Sequence, residues 1–180
     1  TGPTGSSADF SGLTLGDGQE LTVNNFLPSG NELTVDFSAA TFIGSAFIDY
    51  NGFIADETVI GGTGDDEIFA SSGDDSIEGG LGNDTLDGSS GTNTVRGNDG
   101  DDLLFVSSSS TGILDGGADN DIIDINTTFQ NGVIIGGAGT DTVELAAANV
   151  SGTSFTGIEA TQLVSSSSAR TIDADQIGNL

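Results

Sequence analysis

The chain has no cysteine, histidine, lysine, methionine or tryptophan in 180 residues. Without cysteine there is no disulfide and no thiolate metal site. Without histidine the commonest general base is missing, and so are the ligands of a zinc helix of the HExxH type. The only cations are Arg96 and Arg170, set against 28 Asp and Glu for a net charge of −26, so nucleic acid and anionic membrane surfaces are repelled. No apolar run approaches the roughly 20 residues of a membrane span, and no charged leader with an apolar core marks a signal peptide. A serine nucleophile elbow is also missing, because Gly152-Thr153-Ser154-Phe155-Thr156 lacks its closing glycine. Together these gaps argue against an enzyme. The chain opens Thr1-Gly2-Pro3 without Met, which reads as part of a longer polypeptide.

What is present is acid, glycine and a moderate apolar content. Apolar residues make up 34% of the chain and mean hydropathy is near zero, above the level of acidic disordered tails, although the charge imbalance alone would suggest disorder. Folding therefore requires that the negative charge be neutralised. The acidity is also organised: residues 61–144 hold 17 of the 28 acids and 18 of the 29 glycines.

That segment is repetitive. From Gly61 it reads GGTGDDEIF, ASSGDDSIE, GGLGNDTLD, GSSGTNTVR and GNDGDDLLF, nine residues at a time to Phe105. Two further copies follow, GGADNDIID from Gly116 and GGAGTDTVE from Gly136, separated by the insertions Val106 to Asp115 and Ile125 to Ile135. A weaker unit, GFIADETVI, precedes the array at Gly52. Each unit ends on a short apolar strand, with Val59, Ile68, Ile77, Leu86, Val95, Leu104, Ile123 and Val143 at one shared position. One inward side chain per nine residues is too thin a core for a unit to stand alone, but stacked units bury a continuous ladder while their backbones pair as parallel strands.

The array resembles the RTX family, the hemolysin-type calcium-binding repeats with a G-G-x-G-x-D-x-U-x consensus. Five contiguous copies and two more in compatible register make the resemblance specific, and it covers about half of the chain. It implies an all-β fold, a right-handed parallel β-roll (a β-helix or solenoid) in which two units complete one turn. Loops on one edge would then recur every 18 residues, bringing Asp66, Asp84 and Asp102 into line. The insertions preserve that edge through Asp121 and Asp141.

Ca²⁺ takes six to eight oxygen ligands at roughly 2.3–2.6 Å, supplied here by loop carbonyls and carboxylates. In the family, the earlier loop of each site gives the carbonyls of its second and fourth residues, the later loop those of its first and third, and both add their Asp. The resemblance thus implies a first site of Gly62, Gly64, Asp66, Gly79, Leu81 and Asp84, and a second of Gly80, Gly82, Asp84, Gly97, Asp99 and Asp102. A third would use Asn98, Gly100, Asp102, Gly116, Ala118 and Asp121, and a fourth Gly117, Asp119, Asp121, Gly136, Ala138 and Asp141. Asp119 replaces a loop glycine, as Asp enters left-handed geometry more readily than most residues. On the opposite edge Asp75 pairs with Asn93, through Ser71, Gly73, Gly88 and Ser90, in a weaker site. Glu57 stands where an Asp would be, and a site joining it to Asp75 is doubtful. The whole array would take about four to six Ca²⁺ ions.

Three parts are expected: an N-terminal β-rich cap over residues 1–51, the roll over 52–144 and a C-terminal continuation or cap over 145–180. Before the array, Leu13, Leu15, Leu21, Val23, Leu33, Val35 and Phe37 alternate between turn signals, a strand pattern. After it, FTGIEATQL from Phe155 continues the sheets, while the serine runs Ser107 to Ser110 and Ser165 to Ser168 read as edge loops. The functional expectation is calcium binding that drives folding of a structural or adhesive module, extracellular or on a bacterial cell surface. The alternative is a calcium-dependent accessory or secretion domain of a larger secreted enzyme or toxin. Besides calcium ions, the expected partner is a further copy of the chain, assembling into a filament or sheet.

Overall fold

A computed structural model of the chain describes residues 6–9, 14–15, 22–23, 33–36, 41–42, 47–49, 56–145 and 149–163. Among the described residues every regular element is a strand, and no helix is long and apolar enough to cross a membrane. One sheet contains eight strands, in spatial order β1 (Ser6–Asp9), β4 (Leu33–Asp36), β7 (Glu57–Ile60), β9 (Ser76–Leu81), β11 (Gly91–Asp99), β13 (Ser110–Ala118), β15 (Val133–Ala138) and β17 (Ser154–Thr156). The other, also of eight, runs β3 (Thr22–Val23), β6 (Phe47–Asp49), β8 (Glu67–Phe69), β10 (Thr85–Asp87), β12 (Leu103–Phe105), β14 (Ile122–Ile125), β16 (Thr142–Leu145) and β18 (Ala160–Leu163). A two-stranded sheet pairs β2 (Thr14–Leu15) with β5 (Thr41–Phe42). All pairings between these strands are parallel, and from β6 onward successive strands alternate between the two large sheets, so the chain winds as a parallel β-solenoid.

The register explains the repeat. Val59, Ile77, Val95, Leu114, Ile134 and Phe155 stand opposite one another down the first sheet. Ile68, Leu86, Leu104, Ile123 and Val143 do the same down the second. All are buried, so two apolar ladders meet between the sheets, each rung sealing the one above it. Leu114 and Ile134 come from the insertion segments, which keep their rungs although they break the nine-residue period.

The insertions also thicken the core. Val106, Ile125 and Phe129 are buried beside the ladders, joined there by Leu145 and Val150 from the segment after the array. Ser110, expected within a loop, opens β13 and is itself buried. Its strand pairs residue for residue with β11, which draws the serine into the sheet. Ser165 to Ser168 lie outside the described residues. Downstream, β17 and β18 add to the two sheets as the FTGIEATQL segment predicts. Upstream, the expected strand at Leu33 and Val35 enters the first sheet, Leu33 pairing with Glu57, and that at Val23 enters the second, pairing with Ile48, while Leu15 lies in the two-stranded sheet. Two strands that were not expected, Ser6–Asp9 and Phe47–Asp49, pair with Leu33–Asp36 and Glu67–Phe69. Leu13, Leu21 and Phe37 lie outside the described residues.

Candidate metal centre

The loops that pass from the first sheet to the second form one edge of the roll, and those from β7 to β8, β9 to β10, β11 to β12, β13 to β14 and β15 to β16 each end on an aspartate. Asp66, Asp84, Asp102, Asp121 and Asp141 are all at most 2% exposed. Their spacing follows from the strand register, one full turn apart, and backbone hydrogen bonds fix them further. Asp66 N–H donates to Asp84 Oδ1 at 2.7 Å, Asp84 N–H to Asp102 Oδ1 at 2.7 Å, Asp102 N–H to Asp121 Oδ1 at 2.9 Å and Asp121 N–H to Asp141 Oδ1 at 2.9 Å. Each of these carboxylates thus spends one oxygen on the turn before it.

The other oxygen is unspent. Oδ2 of Asp84, Asp102, Asp121 and Asp141 is buried with no hydrogen-bond partner. A buried, unpaired carboxylate oxygen is costly unless a cation or proton meets it. Burial accordingly pushes Asp84 up to about 8, Asp121 to about 7 and Asp102 to about 6. The N–H each accepts pulls the value back, and neighbouring carboxylates, Asp66 and Asp102 around Asp84 for example, raise it again. Asp141 is raised too, by burial and by Glu159.

Each of these oxygens faces a carbonyl. A Cβ placed on Gly79 would lie 2.1 Å from Asp84 Oδ2 and 2.9 Å from the Gly97 carbonyl oxygen. On Gly97 it would meet Asp102 Oδ2 at 2.0 Å and the Gly116 carbonyl at 2.5 Å, and on Gly116 it would meet Asp121 Oδ2 at 2.2 Å and the Gly136 carbonyl at 2.7 Å. Gly61 repeats the arrangement with the Gly79 carbonyl and Asp66 Oδ2. The first glycine of each loop is therefore closely overlaid by anionic and carbonyl oxygen, which leaves no room for a side chain there.

From the second loop of this edge onward the second and fourth positions are left-handed where the backbone reverses, whereas Gly62 and Gly64 of the first loop are not. Gly80, Gly82, Gly100, Gly117, Gly137 and Gly139 have φ between 113° and 152°, with Asn98 at 81° and Asp119 at 77°. Here glycine is required by contact as well as by φ, since a Cβ on Gly100 would stand 1.9 Å from the Gly82 carbonyl oxygen and one on Gly137 2.0 Å from that of Gly117. Of the other expected carbonyls, those of Gly62, Asp99 and Ala118 accept backbone N–H groups from Leu81, Gly82 and Gly100. A carbonyl oxygen keeps a second lone pair for a cation. Leu81 is half exposed, Gly64 accompanies Gly62 in its loop, and Ala138 ends β15. Among the described residues no group of three or more acidic side chains converges. A site built on two carboxylates and several carbonyls has no such group.

Two features of this edge escaped the sequence reading. Glu159 closes the column from below: its Oε2 accepts Asp141 N–H at 2.8 Å. The residue just before each aspartate builds a second, exposed ladder of opposite polarity, Asn83 N–H to Asp65 Oδ1 at 2.8 Å, Asp101 N–H to Asn83 Oδ1 at 2.8 Å and Asn120 N–H to Asp101 Oδ1 at 2.8 Å. The Asp or Asn recurring at that position was the available signal.

A model of the RTX calcium-binding nonapeptide repeat matches residues 51–86, 78–108 and 128–149. The chain carries RTX calcium-binding repeats. No curated protein and no solved structure matches it. The RTX repeat binds calcium, and the oxygen-lined loops of this roll suit a hard cation of that kind.

The opposite edge of the RTX roll is built differently. Glu57 N–H donates to Asp75 Oδ1 at 2.9 Å, and Asp75 N–H to Asn93 Oδ1 at 2.9 Å. The Asn93 amide nitrogen donates to the Gly88 carbonyl and to Ser110 Oγ. The carbonyls of Ser71 and Ser90 accept N–H groups from Ser90 and Gly73. Thus one of the carbonyls expected as a ligand beside Asn93, that of Gly88, already has a side-chain donor.

Proposed function

We propose that the first edge of the roll holds a file of four calcium ions, between Asp66 and Asp84, Asp84 and Asp102, Asp102 and Asp121, and Asp121 and Asp141, and that these ions make folding conditional on calcium. The carrying observation is the row of buried, unpaired Oδ2 atoms on Asp84, Asp102, Asp121 and Asp141. Strands stack about 4.8 Å apart, where like charges repel by very roughly 3.5 kcal/mol at an effective dielectric of 20. Bound calcium supplies the positive charge that reverses this sign. The chain's own part is to hold each carboxylate in place through its Oδ1 and to turn loop carbonyls inward through Gly80, Gly82 and their counterparts. The carbonyl ligands follow the family assignment: Gly62, Gly64, Gly79 and Leu81 for the first site, then the equivalent positions down the edge.

Calorimetric titration of the calcium-free chain tests this reading. Asp84→Ala removes a carboxylate shared by two sites and should lower the number of ions bound by two. An unchanged count would overturn it.

The physiological setting we favour is an extracellular structural or adhesive module of a bacterial surface, with residues 1–51 and 145–180 capping the roll. A solenoid closed only by ions stays an open chain where calcium is scarce and stiffens where it is abundant, which suits export followed by folding outside. The rival setting is an accessory domain of a secreted enzyme or toxin. In both, the lack of His and Cys leaves this stretch without the usual catalytic groups, and calcium is its ligand.

A further inference from the structure

Three fillings succeed one another down the second edge. At the bottom the edge is apolar, with Val106, Phe129 and Val150 buried, and the adjacent backbone is served by hydroxyls: Thr127 Oγ1 donates to the Val106 and Ser108 carbonyls and Thr153 Oγ1 to that of Phe129. In the middle stands Asn93, 1% exposed. At the top two acids face each other, Glu57 at 1% and Asp75 at 2% exposure.

We infer that one divalent cation bridges the carboxylates of Glu57 and Asp75, and that Asn93 ends this second file of ions, its amide nitrogen standing where the next cation would be. The inference rests on the proposed calcium-binding role of the roll but uses none of the residues of the first edge.

Glu57 occupies the same place in its hydrogen-bond ladder as Asp66 does in the other, since its N–H donates to the Oδ1 of the acid one turn below. Neither Oε1 nor Oε2 of Glu57 meets a donor, nor does Oδ2 of Asp75, and all three atoms are buried, while the two carboxyls lie within hydrogen-bond reach of each other, so that only a cation or a shared proton can join them. Three orphaned carboxylate oxygens on two adjoining buried side chains require positive charge between them. Glu57 is one methylene longer than the aspartate of the repeat, and both of its carboxylate oxygens stay inside.

The end-stop follows from the Asn93 amide, whose orientation is fixed by its neighbours. Asp75 N–H is a donor, so the atom receiving it must be Oδ1. The other atom is therefore Nδ2, at the position where Asp84 and Asp102 carry their unpaired Oδ2. An amide nitrogen donates hydrogen bonds and cannot ligate a cation. It meets the Gly88 carbonyl and Ser110 Oγ instead, doing with two N–H bonds what an ion does elsewhere. Below it, hydrophobic packing replaces ions.

The test is an ion count on the full chain: equilibrium dialysis against saturating calcium followed by elemental analysis, for the wild type, Glu57→Gln, Asn93→Asp and the first-edge control Asp102→Asn. Glu57→Gln is expected to bind one ion fewer. Asn93→Asp, which restores a carboxylate and frees the Gly88 carbonyl, is expected to bind one more. A wild-type count for Glu57→Gln, as a proton shared between the two acids would give, overturns the inference, and so does the lack of any gain in Asn93→Asp. If Glu57→Gln fails to fold, Asn93→Asp decides alone. A reduced count in Asp102→Asn with no change in the other two variants would sink this inference while leaving the first-edge reading intact. No change in any variant would sink both.

Discussion

The backbone N–H of Asp84 donates to Oδ1 of Asp102, one turn below, at 2.7 Å, while Oδ2 of the same carboxylate is buried and unpartnered. One side chain thus performs two tasks, holding strand register through one oxygen and presenting negative charge through the other. The two can be separated. Asp102→Asn keeps an acceptor for the Asp84 N–H and replaces Oδ2 with a donor, as Asn93 does on the other edge. It is expected to keep the register yet lose two ions. Isothermal titration calorimetry with a spectrum of the calcium-loaded variant checks both parts, and an unaltered stoichiometry would contradict the assignment.

Gly100 has φ 135°, and a Cβ there would stand 1.9 Å from the Gly82 carbonyl oxygen. Gly100→Ala is expected to raise the calcium midpoint of folding several-fold, through strain and through displacement of that carbonyl. Asn98→Gly, at a left-handed position where glycine is equally at ease, should leave the midpoint near that of the wild type. Calcium titrations followed by circular dichroism compare the two, and equal midpoints would count against the geometry of the loop.

The ladder makes a graded prediction about stability in excess calcium. Leu104 is fully buried, and Leu104→Ala should cost about 2–5 kcal/mol. Its neighbour Leu103 points outward at 36% exposure, and Leu103→Ala should stay within about 0.5 kcal/mol of the wild type. Denaturant unfolding measures both. Similar losses at the two positions would mean that the inward and outward faces are misassigned.

Much of this was readable in the text of the chain because the repeat is a statement about register. Residues at one position of the unit must stack, so the burial of Val59 to Val143 followed from counting, and the alignment of Asp66 to Asp141 from counting together with the two units per turn that the RTX resemblance implies. What was not readable falls where the count fails. The upstream strands set residue 6 opposite 33 and 33 opposite 57, in turns with no common length and hence no period to detect. Glu159 was missed because its loop is short, with Gly157 taking the place of Gly136 only two residues before the acid. On the second edge, spacing placed Asn93 correctly, but its amide orientation depends on a donor one turn above, which pattern alone does not express.

The raised carboxyls set a pH dependence for the metal-free chain. Folded values of about 8, 7 and 6 for Asp84, Asp121 and Asp102 lie above the ordinary Asp value of about 3.9. The folded form therefore holds these protons more tightly than the unfolded chain does. This stabilising contribution is full below about pH 4 and is lost as pH rises through the folded values. In EDTA the chain should be more ordered near pH 4 than near pH 8. Thermal melts in EDTA across that range test it; greater order at the higher pH would contradict the burial of these groups.

The central claim is that cations, by cancelling a stacked column of buried carboxylates, let a slender pair of sheets close. Far-ultraviolet circular dichroism of the full chain at neutral pH, in excess EDTA and then in millimolar calcium, tests it most directly. The account predicts a disordered spectrum that turns strand-rich on calcium addition and reverts when the metal is chelated again. The same strand-rich spectrum in both conditions would contradict it.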